Sequence, residues 1–148
     1  MTNITNRIVL ILGLLGLFIS LYLTYTKISG TSPQCNLLSG CETVEQSSYS
    51  EVYGIPVALF GALFYLGIIV ATFIRVIKKY KEVISKLLLI ATFIGFIYSM
   101  YLTYLEVYVI FAICIYCVAS AIISTALFFL NLYENIVISK LRLRNNYE

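Results

Sequence analysis

The sequence predicts an all-α membrane protein, a single domain over residues 1–148 built as a four-transmembrane-helix bundle. Three observations carry that prediction. Of the 148 residues, 61% are apolar and 11% charged, where a soluble domain averages about 45–50% and about 25%. The apolar residues fall into three long runs, and the last is long enough to cross a bilayer twice. The basic residues gather at alternate ends of the resulting spans, as the positive-inside rule requires.

Residues 8–26 (IVLILGLLGLFISLYLTYT) carry no charge and are long enough to cross a hydrocarbon core of about 30 Å. They exceed a signal-peptide core, and no Ala-x-Ala-like site follows, so an uncleaved helix is predicted. Residues 27–54 are the one long hydrophilic segment, with Glu42, Glu45 and Glu51 against Lys27. Residues 55–74 form the second span, and Pro56 is placed in its first turn, where a missing N–H costs nothing. Residues 75–86 hold five of the ten basic residues and one acid, and read as a cytoplasmic loop.

From Leu87 to Tyr133 the chain is a nearly unbroken apolar stretch whose one charge is Glu106. As one helix this stretch would reach about 70 Å, so it passes twice. Helices are expected at about 87–105 and 112–133, with a turn near residues 106–111. Arg7, the 75–86 loop and the tail bearing Lys140, Arg142 and Arg144 then face the cytoplasm with both termini. The 27–54 loop and the turn near Glu106 face outward, and both cysteine pairs lie toward that outer side.

Composition excludes several classes of chemistry. There is no histidine, which removes Cys-His and Ser-His catalysis and histidine-ligated haem. The net charge of +3 sits at span ends and orients the protein against membrane lipid, with no nucleic-acid partner indicated. Cys114-Ile115-Tyr116-Cys117 places two thiols on one helix face, able to alternate between dithiol and disulfide. The bland alternative is two small buried apolar residues. Cys35 and Cys41, in CNLLSGC, suit a static disulfide closing a small loop or a mobile shuttle pair, with Ser39 and Gly40 favouring a flexible turn. A four-thiolate zinc site is disfavoured, because it concentrates charge near the bilayer in an oxidising compartment.

Tyr98, Tyr101, Tyr104 and Tyr108 recur beside Glu106. They read first as an interfacial aromatic belt and second as a wall for a flat apolar ligand. Glu106 reads as an interfacial charge rather than a proton relay. Residues 47–56 read as a cap lying at the interface or as a plain connector.

These features in this order resemble the vitamin K epoxide reductase family, in particular its prokaryotic members. The resemblance rests on a first span, Cys-x5-Cys, a serine-bearing stretch ending in Gly54-Ile55-Pro56, and Cys-x-x-Cys at the outer end of the fourth span. It implies an extracytoplasmic loop capping the active site, and a bound quinone of the menaquinone, ubiquinone or vitamin K type. Cys114 and Cys117 are then the active-site pair, with Cys117 nearer the quinone, and Cys35 and Cys41 relay electrons. Ser47 falls at the family's characteristic serine, and Tyr101 joins the implied quinone-binding set. Val57 and Ala121 stand where animal members have asparagine and tyrosine, a departure that counts against epoxide reduction but not against quinone reduction. Many bacterial relatives carry a fused thioredoxin-like domain; here a separate extracytoplasmic thioredoxin-like protein is expected.

The function expected is that of a membrane thiol:quinone oxidoreductase in the cell membrane. Its rivals are a non-catalytic tetraspan scaffold with structural disulfides and a transmembrane carrier of reducing equivalents.

Overall fold

Hydrocarbon offers no hydrogen-bond partner to a backbone amide, so a spanning segment must satisfy its own backbone, and helices do so locally. The computed structural model describes residues 2–33, 35, 40–75 and 81–145. Helix α1 spans Thr2–Ser29. A short helix α2, Gly40–Gln46, and a 3-10 turn, Ser48–Ser50, follow it. Strands β1 (Glu51–Val52) and β2 (Ile55–Pro56) pair antiparallel, and then come α3 (Val57–Arg75), α4 (Lys81–Leu105) and α5 (Ile115–Asn145). Among the described residues, α1, α3, α4 with its continuation to Ile110, and α5 are long and apolar enough to cross a membrane.

Several boundaries differ from those expected. Helix α1 overruns 8–26 at both ends, α4 begins before residue 87 and ends at 105 as expected, and α5 begins later than 112 but runs past 133. Hydropathy marks only the part in hydrocarbon, whereas the backbone stays helical into the interface. Residues 55–56, expected to open the second span, instead pair with Glu51 and Val52. Tyr53 and Gly54 between them have φ of 54° and 78°, the two positive values that a type I′ hairpin turn needs. Pro56 therefore ends a strand, and the helix starts at Val57. The turn expected near 106–111 is displaced as well. Residues Glu106–Ile110 form a single wide π turn, and the chain leaves the helix at Phe111, whose φ is 54°. The Ser39 part of the cysteine loop and residues 76–80 of the basic loop lie outside the described residues.

The four long helices close a ring in which α1 and α4 each pack on both α3 and α5. Small residues let them approach. A Cβ at Gly16 would lie 2.4 Å from the Tyr65 ring, and one at Gly95 equally close to Phe64. Every long helix contributes to a central apolar layer, where Val9, Ile68, Leu88 and Leu127 are buried, with Tyr65 and Ile123 in the same cluster. On the side of this layer nearer the N-terminus sits a polar cluster. The Arg75 guanidinium donates to Asn6 and, at 3.1 Å, to Asn131 Oδ1, and it pairs with Glu134 at 3.0 Å. On the other side lies a cavity.

Candidate active site

The N-terminus of α5 organises the site. Cys114 precedes the first helical residue, and its carbonyl accepts the Val118 N–H at 3.0 Å. Cys117 is thus the third residue of the helix, one turn above Cys114 and on the same face. Both are reduced, and Cys114 is 2% exposed. The Cys117 thiol donates toward the Cys114 sulfur and holds the Cys114 thiol below its ordinary range. Burial and the charge of the Glu106 carboxylate oppose this, and the backbone N–H groups of Cys117 and Tyr116 assist it. Those two N–H groups act as a helix N-terminus does on a thiolate.

Glu106 faces the same point. It is 4% exposed, and its Oε2 accepts the Cys114 N–H at 3.3 Å. Its carboxylate also meets the Cys117 side chain. The interfacial charge expected from the sequence is therefore a buried one. The π turn is the reason: it widens the last turn of α4, and the Glu106 carbonyl accepts the Ala112 N–H at 3.1 Å. The side chain is thereby brought beneath the start of α5. Single π turns of this kind recur at functional sites.

Cys35 and Cys41 form a disulfide with Cα atoms 6.1 Å apart. Cys41 is 1% exposed, while Cys35 is partly exposed. Helix α2 reaches this position because of Gly40. A Cβ there would lie 2.5 Å from the Ile113 carbonyl oxygen and 2.7 Å from its nitrogen. Only glycine lets the α2 backbone meet the segment immediately before Cys114. The far end of α2 is tied to α1. Thr26 Oγ1 donates to Glu45 Oε1 at 2.8 Å, and Lys27 Nζ reaches Ser50 Oγ at 3.0 Å and Glu51 at 3.1 Å. Burial raises the Glu45 carboxyl above its usual range, against the pull of Thr26 and Lys27.

Cys41, Cys114 and Cys117 all border one cavity of about 280 Å³. Its wall is mainly apolar, with Phe60, Phe64 and Tyr98 among the lining residues. Ser47, Val57 and Ala121 line it too. Tyr101 does not: it is 53% exposed on the outer surface of α4. The tyrosine row is split, with the part-exposed Tyr98 lining the cavity and the Tyr104 and Tyr108 rings packed 5.0 Å apart on the outside.

Two lining features escaped the sequence reading. Tyr65 donates to the Ser120 carbonyl at 3.0 Å and meets its hydroxyl at 2.8 Å. Ser124 is 2% exposed, and its Oγ has no hydrogen-bond partner among the described residues. A signal was available, because Cys117, Ser120 and Ser124 recur at helical spacing along an otherwise apolar helix. A buried hydroxyl without a partner costs free energy. Its place in an apolar, aromatic-lined cavity suits a flat ring carrying carbonyl acceptors, so the residues fit a quinone.

Residues 7–132 match the family described as the Vitamin K epoxide reductase family. That family comprises membrane oxidoreductases linking thiol–disulfide chemistry to quinones. The match runs from the first turns of α1 through the cysteine-bearing start of α5 to Asn131 and beyond, and this chain belongs to the vitamin K epoxide reductase family.

Proposed function

We propose that this protein is a thiol:quinone oxidoreductase that couples disulfide formation in an exported thioredoxin-like partner to quinone reduction. The observation that carries the reading is the meeting of one disulfide cysteine, Cys41, and two reduced cysteines, Cys114 and Cys117, at a single apolar cavity. The alternating loop charges support an orientation with both termini cytoplasmic and both pairs outside. In this reading, residues 40–56 cap the site.

The steps follow from exposure. A partner thiolate attacks Cys35, the more exposed sulfur, and Cys41 leaves as a thiolate. The partner's second thiol then displaces Cys35, so the partner is oxidised and the loop pair reduced. Cys41 next attacks Cys114 of an oxidised Cys114–Cys117 pair, and Cys117 leaves. Cys35 resolves the mixed disulfide, which restores Cys35–Cys41 and leaves Cys114 and Cys117 reduced, the arrangement seen here. A bound quinone supplies an acceptor for two electrons and two protons, and Cys117, Ser124 and Tyr98 are the residues that would hold its ring. Ser47, Val57 and Ala121 shape the same cavity.

The buried layer of Val9, Ile68, Leu88 and Leu127 favours this reading over a transmembrane carrier, since it separates the cavity from the Arg75 end of the bundle. The test is quinone reduction by purified protein with a dithiol donor. Wild type reduces quinone and Cys117→Ala does not; equal rates in the two sink the reading.

A further inference from the structure

The geometry points to Glu106 as the group that takes the proton from the Cys117 thiol when the Cys114–Cys117 dithiol is oxidised. The inference rests on the thiol:quinone reading above and assigns a proton acceptor to that same site.

Three features lead there. Glu106 is the one acid between Leu87 and Tyr133, and intramembrane acids are retained at a cost that function explains. It borders the cavity, is 4% exposed, and its carboxylate meets the Cys117 side chain while Oε2 takes the Cys114 N–H at 3.3 Å. Its position depends on an irregular π turn rather than on ordinary helix geometry. Among the described residues, no cation forms an ion pair with it. Lys27 is the one basic side chain lining the cavity among the described residues, and its ammonium is held by Glu51 and Ser50. The other titratable groups lining the cavity are Cys114 just before α5 and Cys117 within it, Cys41 and Glu45 from α2, Tyr49 from the 3-10 turn, Tyr65 from α3 and Tyr98 from α4.

The Cys117 S–H bond breaks and its proton passes to the Glu106 carboxylate. An S–S bond forms between Cys117 and Cys114, and the Cys114 thiol releases the second proton. The two electrons leave to the acceptor, a quinone, which also takes up two protons. Glu106 returns its proton to the cavity and is ready for the next cycle. The hydrogen bond from the Cys114 N–H to Oε2 holds the carboxylate beside the thiol throughout.

The test compares Glu106→Gln and Glu106→Asp with wild type. Glutamine still accepts the Cys114 N–H but cannot take a proton. Quinone reduction by a dithiol is expected to fall about 100-fold in Glu106→Gln, the scale of lost general-base catalysis. Wild type loses rate as the medium is acidified, whereas the residual rate of Glu106→Gln does not follow pH, and Glu106→Asp recovers part of the loss. The second readout needs no quinone. Electrochemical reduction of the Cys114–Cys117 disulfide should change a carboxyl band in the infrared difference spectrum, and that change should vanish in Glu106→Gln. Wild-type rate and pH profile in Glu106→Gln, or an unchanged carboxyl band, overturns the inference. Failure of wild type to reduce quinone while the band still changes overturns the functional reading and leaves the proton exchange standing.

Discussion

The backbone of Gly40 lies so close to Ile113 that a methyl group added there would sit 2.5 Å from the Ile113 carbonyl oxygen. The contact joins the residue before Cys41 to the residue before Cys114. It is backbone against backbone, so no flexible side chain can yield. Gly40→Ala must therefore push α2 away from the start of α5, and Cys41 with it. A displacement on the ångström scale costs about 100-fold in a step that needs two sulfurs in line. Quinone reduction driven through Cys35 and Cys41 should fall by that order. In a Cys35→Ser, Cys117→Ser background, a Cys41–Cys114 cross-link should accumulate with Gly40 and be lost with alanine, as read by mass spectrometry of the non-reduced peptides.

The Cys114 thiol is held low chiefly by the Cys117 thiol that donates to it. A serine at position 117 can still donate and an alanine cannot. In a chain lacking Cys35 and Cys41, the Cys114 thiolate should therefore appear at higher pH in Cys117→Ala than in Cys117→Ser. The sign follows from the hydrogen bond, which favours the charged form of its acceptor. Ultraviolet thiolate absorbance followed through a pH titration reads the difference directly. Identical titrations would remove Cys117 as the cause.

How much of this was legible beforehand depends on how local each signal is. Four spans, and the family, could be read because runs such as 8–26 and motifs such as Cys114-Ile115-Tyr116-Cys117 are contiguous. Glu106 reads from the sequence as an interfacial charge because its burial depends on a π turn, and no residue pattern in Glu106–Ile110 announces one. Tyr98 and Tyr101 share a broad helix face, but the cavity boundary passes between them, and periodicity does not locate a boundary. The apolar run 55–74 places Pro56 in a helix, whereas the hairpin turn at Tyr53-Gly54 is set by two backbone angles. The closeness of Gly40 and Ile113 joins residues more than seventy positions apart and leaves no trace in either segment.

Ser124 offers a hydroxyl with no partner among the described residues in a cavity wall that also includes Cys117 and Ala121. A hydrogen bond to a ring carbonyl contributes about 0.5–1.5 kcal/mol net. Ser124→Ala should therefore weaken quinone binding by about 2–10-fold while leaving the thiol titrations untouched. Tyr101→Ala, on the outward face of α4, should leave quinone affinity unchanged. Equilibrium titration with a short-chain quinone in detergent decides both. Equal loss in the two variants would mean that the cavity wall is not where the ring sits.

At the other end of the bundle, Arg75 is 1% exposed and Glu134 is 3% exposed, with their charged groups 3.0 Å apart. Asn6 and Asn131 share the guanidinium. Removing one charge leaves the other buried and uncompensated, which costs about 3–5 kcal/mol. Glu134→Ala should accordingly lower the thermal unfolding midpoint sharply in detergent. Replacing both partners together, Arg75→Met with Glu134→Met, removes the stranded charge and should recover much of that loss, because a buried pair is weakly stabilising relative to apolar residues of similar size. Three membrane-spanning helices, α1, α3 and α5, supply this cluster, yet the Val9, Ile68, Leu88 and Leu127 layer lies between it and the cavity. The double variant should therefore keep quinone reduction at the wild-type rate. A folded double variant that has lost turnover would show that the cluster communicates with the thiols.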